Sequence, residues 1–195
     1  MKRGLALVAL GVLWLGLLAP GPAWSQTRDP IRDALDRVAE LYHQKKFDEA
    51  ELFAEQALSL SEEIYGEEHP TTAVMLNNLG ELYREQKKYA DAEAMHRRAL
   101  GIRALKLGPE SRAAGESMFN LAVVNQAMGR AEFAEQLYLR CRPIMEATLG
   151  PNNPVLAVVY NQMAGFYRAQ GRIGDAEPLE RSAAAILAKV PRRGT

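Results

Sequence analysis

Ala50, Ala92, Ala134 and Ala176 stand 42 residues apart, and each is followed by a glutamate: Glu51, Glu93, Glu135 and Glu177. Gly66, Gly108 and Gly150 repeat at the same step, and so do Tyr83, Asn125 and Tyr167. A fixed period of this length constrains the chain more than its composition does. It predicts a solenoid, in which each supersecondary unit buries its apolar side against the next because it cannot bury it alone.

Each unit reads as two helices. In the second, Leu76, Leu79, Leu82 and Tyr83 recur at three- and four-residue spacing and form one apolar face. The polar break "QKK" follows, then a helix with Tyr89, Ala92, Met95, Ala99, Leu100 and Ile102 on its buried side. Gly129 and Gly171 occupy the break in the third and fourth units, where a left-handed residue can end the first helix. Gly66, Gly108 and Gly150 are expected to end the second helices in the same way. His69, Ser111 and Asn153 follow as N-caps, with Pro70 and Pro154 at the first helical position, where a missing N–H has no consequence. His69 is read as a cap and not as a metal ligand.

Small residues align across the units: Ala57, Ala99, Cys141 and Ala183 in one column, Ala39, Gly80, Ala122 and Ala164 in another. Such columns let helix backbones approach closely. Cys141 therefore reads as a small buried hydrophobe in an alanine position. As the only cysteine it leaves no intramolecular disulfide available. Pro143, deep in the second helix of the third unit, is expected to bend it, whereas Pro178 lies near the start of its helix.

The first residues are of another kind. Lys2 and Arg3 precede the apolar run from Gly4 to Ala19, and "PGPAWSQ" ends it with small residues Ala23 and Ser25. This is the layout of a secretory signal peptide. Residues 1–25 are read as that signal and Gln26 as the mature start, which suggests a periplasmic protein. Retention of the signal as a membrane anchor is the alternative. Lys plus Arg equals Asp plus Glu at 24 each, so no concentrated positive charge points to nucleic acid or to an anionic membrane surface.

These features resemble the tetratricopeptide repeat in its longer, kinesin-light-chain-like form. "LNNLGELYREQKKYADAEAMHRRALGIRALKLG", Leu76 to Gly108, shows it best: Leu79, Gly80 and Tyr83 match the family's Leu-Gly-x-x-Tyr core, and Ala92 and Ala99 its close-packing alanines. The linker of the longer type appears as Tyr65-Gly66 with His69-Pro70 and as Leu149-Gly150 with Asn153-Pro154. The first unit departs by one missing residue before "KKF", and the third has Asn125 and Ala131 where aromatics are usual. The resemblance implies an all-α fold, an α-solenoid of about four repeats in a right-handed superhelix. The repeats would span roughly 30–69, 70–111, 112–153 and 154–190, within a domain of residues 26–195.

The resemblance also implies a concave groove, lined by the first helix of each unit, that binds a peptide or helix of a partner protein. Carried over by position, the groove residues include Asn77, Asn78, Glu81 and Arg84, then Phe119, Asn120 and Val123, then Asn161, Gln162 and Arg168. Asparagine is a poor helix-interior residue, and its carboxamide can donate and accept along an extended main chain. The same amides could instead fix the stacking between units, and the two roles are compatible. Phe119 and Val123 are expected to offer an apolar anchor. No concentrated Lys/Arg clamp for a terminal carboxylate is present.

Catalysis is not expected. His43, His69 and His96 are scattered, and there is no phosphate loop, G-x-S-x-G or glycine-rich dinucleotide turn. No cofactor is expected. The function expected is that of an exported adaptor or scaffold. Its alternative is a self-associating structural component of an envelope complex, assembled through end helices; the fourth unit has no capping helix after it, which suggests a sticky outer face.

Overall fold

The boundaries of the helices follow from which backbone groups find partners. A computed structural model of the chain describes residues 29–190; the segment read as an export signal lies outside them. Eight helices are present among the described residues: α1 (Pro30–His43), α2 (Phe47–Tyr65), α3 (Pro70–Glu85), α4 (Tyr89–Leu107), α5 (Arg112–Ala127), α6 (Ala131–Leu149), α7 (Pro154–Ala169) and α8 (Ile173–Leu187). They pair as α1–α2, α3–α4, α5–α6 and α7–α8. The fold is all-α. The chain divides into two units, one ending at Gly108 and the other beginning at Pro109. No described helix is long and apolar enough to cross a membrane.

Every first helix stops in the same way. Lys46 N–H donates to Leu41 O at 2.9 Å and Lys45 N–H to Tyr42 O at 2.9 Å. Lys88 and Lys87, Arg130 and Gly129, and Arg172 and Gly171 repeat this pair of bonds. The pattern is the Schellman motif, which satisfies two otherwise orphaned carbonyls and requires one residue at positive φ. Gly129 and Gly171 take that position at φ 75° and 74°, but Lys45 and Lys87 take it at 58° and 63°. The loop is thus closed in the first two repeats against an intrinsic penalty of roughly 1 kcal/mol for each lysine.

The second helices end differently from the expectation. Gly66, Gly108 and Gly150 have positive φ, but ψ of 159°, 148° and 156°. That is a mirror-extended conformation in which the chain leaves the helix straight, and only glycine enters it readily. The restart signals act as caps: His69 Nδ1 accepts from Thr71 N–H at 3.1 Å, Ser111 Oγ from Ala114 N–H at 3.2 Å, and Asn153 Oδ1 from Val155 N–H at 2.9 Å. In the first of these loops Thr72 Oγ1 also donates to Gly66 O at 2.8 Å, while sharing a 3.0 Å bond with Ser61 Oγ.

Inside each hairpin the small residues are sealed. Ala50, Ala57, Ala92, Ala99, Ala134, Cys141 and Ala176 are fully buried, and Ala183 nearly so. Burial pushes the Cys141 thiol up to about 12, so it stays protonated and unreactive. In the N-terminal unit Val38, Leu41 and Tyr42 of α1 meet Ala50 and Ala54 of α2 and Leu79 and Leu82 of α3. Ile31, Ala34 and Leu35 meet Ala57 and Met75. In the C-terminal unit an aromatic run links three helices: Phe119 to Tyr138 at 6.0 Å, Tyr138 to Phe166 at 5.4 Å, and Phe166 to Tyr167 at 5.3 Å. α6 remains one helix across Pro143. Pro143 and Leu139 are both outside the core, Leu139 52% exposed, so the carbonyl that the proline leaves unbonded lies on the solvent side.

Neighbouring hairpins are also tied by charge. Glu51 receives Lys88 Nζ at 2.8 Å and Gln86 Nε2 at 2.7 Å, and Glu62 receives Arg98 at 2.6 Å. In the C-terminal unit Glu135 receives Arg172 at 2.7 Å.

Replacing Lys87 by glycine should raise stability by about 1 kcal/mol, and replacing Gly171 by alanine should lower it by about the same amount. Chemical denaturation midpoints of the two variants against the parent check this, with opposite signs expected.

Candidate functional site

The first helix of each hairpin has two sides, one committed to its second helix and one that the resemblance assigns to a partner. The structure distributes the ten proposed residues unevenly between them. Asn77 faces its own hairpin: its Oδ1 lies 3.1 Å from His96 Nδ1, and both residues are buried. Phe119 is also buried, its ring beside Tyr138, so it belongs to the aromatic core and is not a free anchor. Asn78 is only 3% exposed, with its amide nitrogen unbonded.

Glu81 is buried as well. It receives Arg84 Nε at 3.0 Å, and Arg84 also pairs with Glu85. Tyr42 of α1 donates to Glu85 at 3.4 Å. Burial alone would lower the Arg84 pKa, but the hydrogen bond and charge of Glu81, with Glu85 behind them, hold it above the usual guanidinium range. Arg84 is therefore no free cation. Arg168 is exposed but is held by Glu180 of α8 at 2.5 and 2.7 Å. Asn120 and Val123 are half-buried, as is Gln162, whose Nε2 donates to Gln126 Oε1 at 3.3 Å. Gln126 also accepts from the Tyr138 hydroxyl at 2.8 Å. Asn161 is exposed.

What stays open on the first helices is therefore a smaller set. On α1 these are Asp33 and Asp36, exposed and outside any ion pair among the described residues, beside the Arg37–Glu40 pair at 2.5 Å. On α7 it is Asn161, with Gln162 next to it. Periodicity marks the helix face on which a residue lies. It does not mark whether a neighbour in the same hairpin has already taken the side chain, as happens at Asn77, Glu81, Arg84 and Phe119.

Sequence reasoning also missed the burial of His96. Its ring fills the space that Gly80 leaves: a Cβ built on Gly80 would lie 2.8 Å from His96 Cε1. Its Nε2 has no hydrogen-bond partner. Burial, reinforced by the charges of Arg84 and Arg103, pushes the imidazole down to about 3. The signal was present in the column Ala54, His96, Tyr138 and Glu180, where a small side chain in the first repeat gives way to large ones in the others. Among the described residues no group of three or more His, Cys, Asp or Glu is placed to hold a metal.

The sequence matches the tetratricopeptide-repeat family over residues 31–104 and 111–189. No curated protein is significantly similar in sequence. Among solved structures, the chain resembles BtubC (BKLC) from P. vanneervenii, with a TM-score of 0.71 and 23% identity over 87% of this chain and 71% of that one. It also resembles the nearly identical TPR-like repeats of a putative kinesin light chain from Podosopora anserina. There the TM-score is 0.70 and the identity 23%, over 86% of this chain and 80% of that one. A substituted form of those repeats gives 0.71, at 23% identity, over 85% and 79%. At this identity the likeness establishes the fold.

Because the folded-state pKa of His96 lies below its unfolded value, the folded state resists protonation. Its contribution to stability is complete above about pH 6.5 and declines as pH falls toward 3, by about 1.4 kcal/mol per pH unit. Denaturation measured from pH 7 to pH 4 should show this slope, and His96→Gln should flatten it relative to the parent.

Proposed function

The chain belongs to the tetratricopeptide-repeat family, and from that premise we propose that it is an exported interaction module. In this reading it holds a peptide or helix of a partner protein against the first helices of its repeats. Repeats of this family serve as protein–protein interaction scaffolds; the export and the binding face are the specific parts of the proposal. The observation that carries the binding face is the difference between its two sides. The core sides of α1 and of α7 are each apolar and closed, whereas the opposite sides keep Asp33 and Asp36 on α1 and Asn161 on α7 exposed and outside any ion pair among the described residues. Polar groups that hold no ion pair or side-chain hydrogen bond among the described residues remain available to hydrogen-bond a ligand.

In the C-terminal unit the binding groups are Asn161 and Gln162. The amide of Gln162 is already oriented by Gln126, which Tyr138 fixes from α6. An oriented amide loses less freedom when it takes a ligand than a free one does. In the N-terminal unit the exposed carboxylates of α1 give the face a negative character, which suits a partner segment carrying lysine or arginine. Export is supported by the charge of Lys2 and Arg3, the apolar run behind them and the small residues Ala23 and Ser25. A lone, buried and protonated Cys141 is suited to an oxidising compartment, since it offers no thiolate to exchange.

Affinity capture from the periplasmic fraction, with the chain as bait, tests the binding face. The double variant Asn161→Ala, Gln162→Ala should retain the parent's circular dichroism and lose about tenfold in capture of the partner that the parent brings down, the size of two modest hydrogen bonds. Equal capture by parent and variant would remove the α7 face from the proposal. Intact mass of the exported protein checks the signal, and a start at Gln26 is expected.

A further inference from the structure

Within each unit one ion pair crosses from hairpin to hairpin in the same register. Its acid is the glutamate that follows the seam alanine of one second helix. Its base is the residue just before the next second helix: Glu51 with Lys88 at 2.8 Å, and Glu135 with Arg172 at 2.7 Å. Continued to the ends of the array, the two columns finish in Lys46 and Glu177. Neither has a neighbouring hairpin to meet among the described residues. Lys46 reaches only Glu49 of its own helix at 3.1 Å, and Glu177 meets only Arg181 at 3.5 Å; all four side chains are at least half exposed. A cation beside a helix N-terminus opposes the helix dipole. At α4 and α8 the glutamate of the preceding hairpin offsets that, and at α2 no preceding hairpin among the described residues supplies one.

Next to Lys46 lies an apolar flank in the same situation. The α4 residues Met95 and Ile102 lie against clusters that take in Leu58 of the preceding second helix. Their equivalents one period earlier are Phe53 and Leu60 of α2, both half-buried, and Ile64 one turn further on is 55% exposed. The hairpins at the two ends also differ in charge. Residues 29–69 hold twelve carboxylates against four Lys and Arg, and residues 154–190 hold three against four.

We infer that the occupant of this flank is a second copy of the chain, docked head to tail. The α7–α8 hairpin of one copy lies on the α1–α2 hairpin of the next, so that Glu177 meets Lys46 and α8 covers Phe53, Leu60 and Ile64. The contact repeats, between chains, the pairing that the sequence already uses between hairpins. It is heterologous, since each copy contributes a different surface, and it propagates into an open chain or closes into a ring. It relies on the stacking register alone and is independent of the partner-binding face.

Sedimentation velocity of the purified protein over a dilution series, in low and in high salt, reads the association directly. Self-association with a dissociation constant on the order of 100 µM or tighter is expected, weakening as salt screens the end charges. Lys46→Glu and Glu177→Lys should each weaken it about tenfold, and the double variant, which rebuilds the pair with reversed signs, should return to within about threefold of the parent. Circular dichroism of all three variants should match the parent. A protein that stays monomeric throughout the series overturns the inference. So does an association indifferent to the single variants, or one that the double variant fails to restore.

Discussion

The structure depends on how closely two helix backbones can approach within a hairpin. Alanine, or cysteine in one instance, occupies every crossing point named above, and those residues are buried to the last few per cent. A larger side chain there would force the pair apart by more than the core can absorb. The close approach also has a consequence for the rest of the chain. A hairpin held together by alanines buries little apolar area itself, so its leucines must find cover on the next first helix. Leu58 shows this most directly, because it packs against three separate apolar clusters of the N-terminal unit. A single half-buried side chain thus joins two hairpins that the alanine seams would otherwise leave independent.

Much of this was legible in the sequence because the evidence was positional. Caps, seam residues and turn glycines each act through their own backbone or their own small volume, and the 42-residue period sets them side by side from repeat to repeat. Residues whose role depends on a partner were harder to read. Lys45 and Lys87 adopt the left-handed conformation that glycine takes in the later repeats, and nothing in a lysine announces this. The Schellman bonds impose it from outside. Asn77 and Glu81 had the spacing of surface residues, yet His96 and Arg84 had already engaged them. At the trailing end, α8 leaves Ile173 exposed together with the small Ala184 and Ala185.

The buried polar groups of the N-terminal unit follow from an exchange of volume between two columns. Where the first repeat has Val38 and Ala54, the second has Gly80 and His96. The glycine gives up its side chain, the histidine takes the space, and its ring needs a hydrogen-bond partner, which Asn77 supplies on one side. The other ring nitrogen has none. An unsatisfied buried polar atom costs of the order of 1–3 kcal/mol, so this hairpin gives up stability that the alanine version would keep. The third repeat solves the same problem more completely: Tyr138 fills the column and its hydroxyl reaches Gln126. The fourth moves the polar end into solvent, as the Glu180–Arg168 pair. One position in the repeat therefore takes an apolar residue and three different polar arrangements on an unchanged backbone.

The cations before the second helices make the complementary argument about register. Lys46, Lys88, Arg130 and Arg172 all occupy the N-cap with nearly identical backbone angles and no side-chain cap bond. Local preference favours Ser, Thr, Asp or Asn there, and the dipole disfavours positive charge. Four such choices in succession are a cost that no single hairpin explains. They become intelligible between hairpins, where Lys88 and Arg172 reach back to Glu51 and Glu135. Advancing one residue along a helix turns a side chain by about 100°, so a slip of that size would carry the glutamate away from its cation. Leucine and alanine would tolerate such a slip more readily, because apolar contact is non-directional. Glu51 and Glu135 are thus more than marks of the period, since each makes one stacking register within its unit preferable to its neighbours.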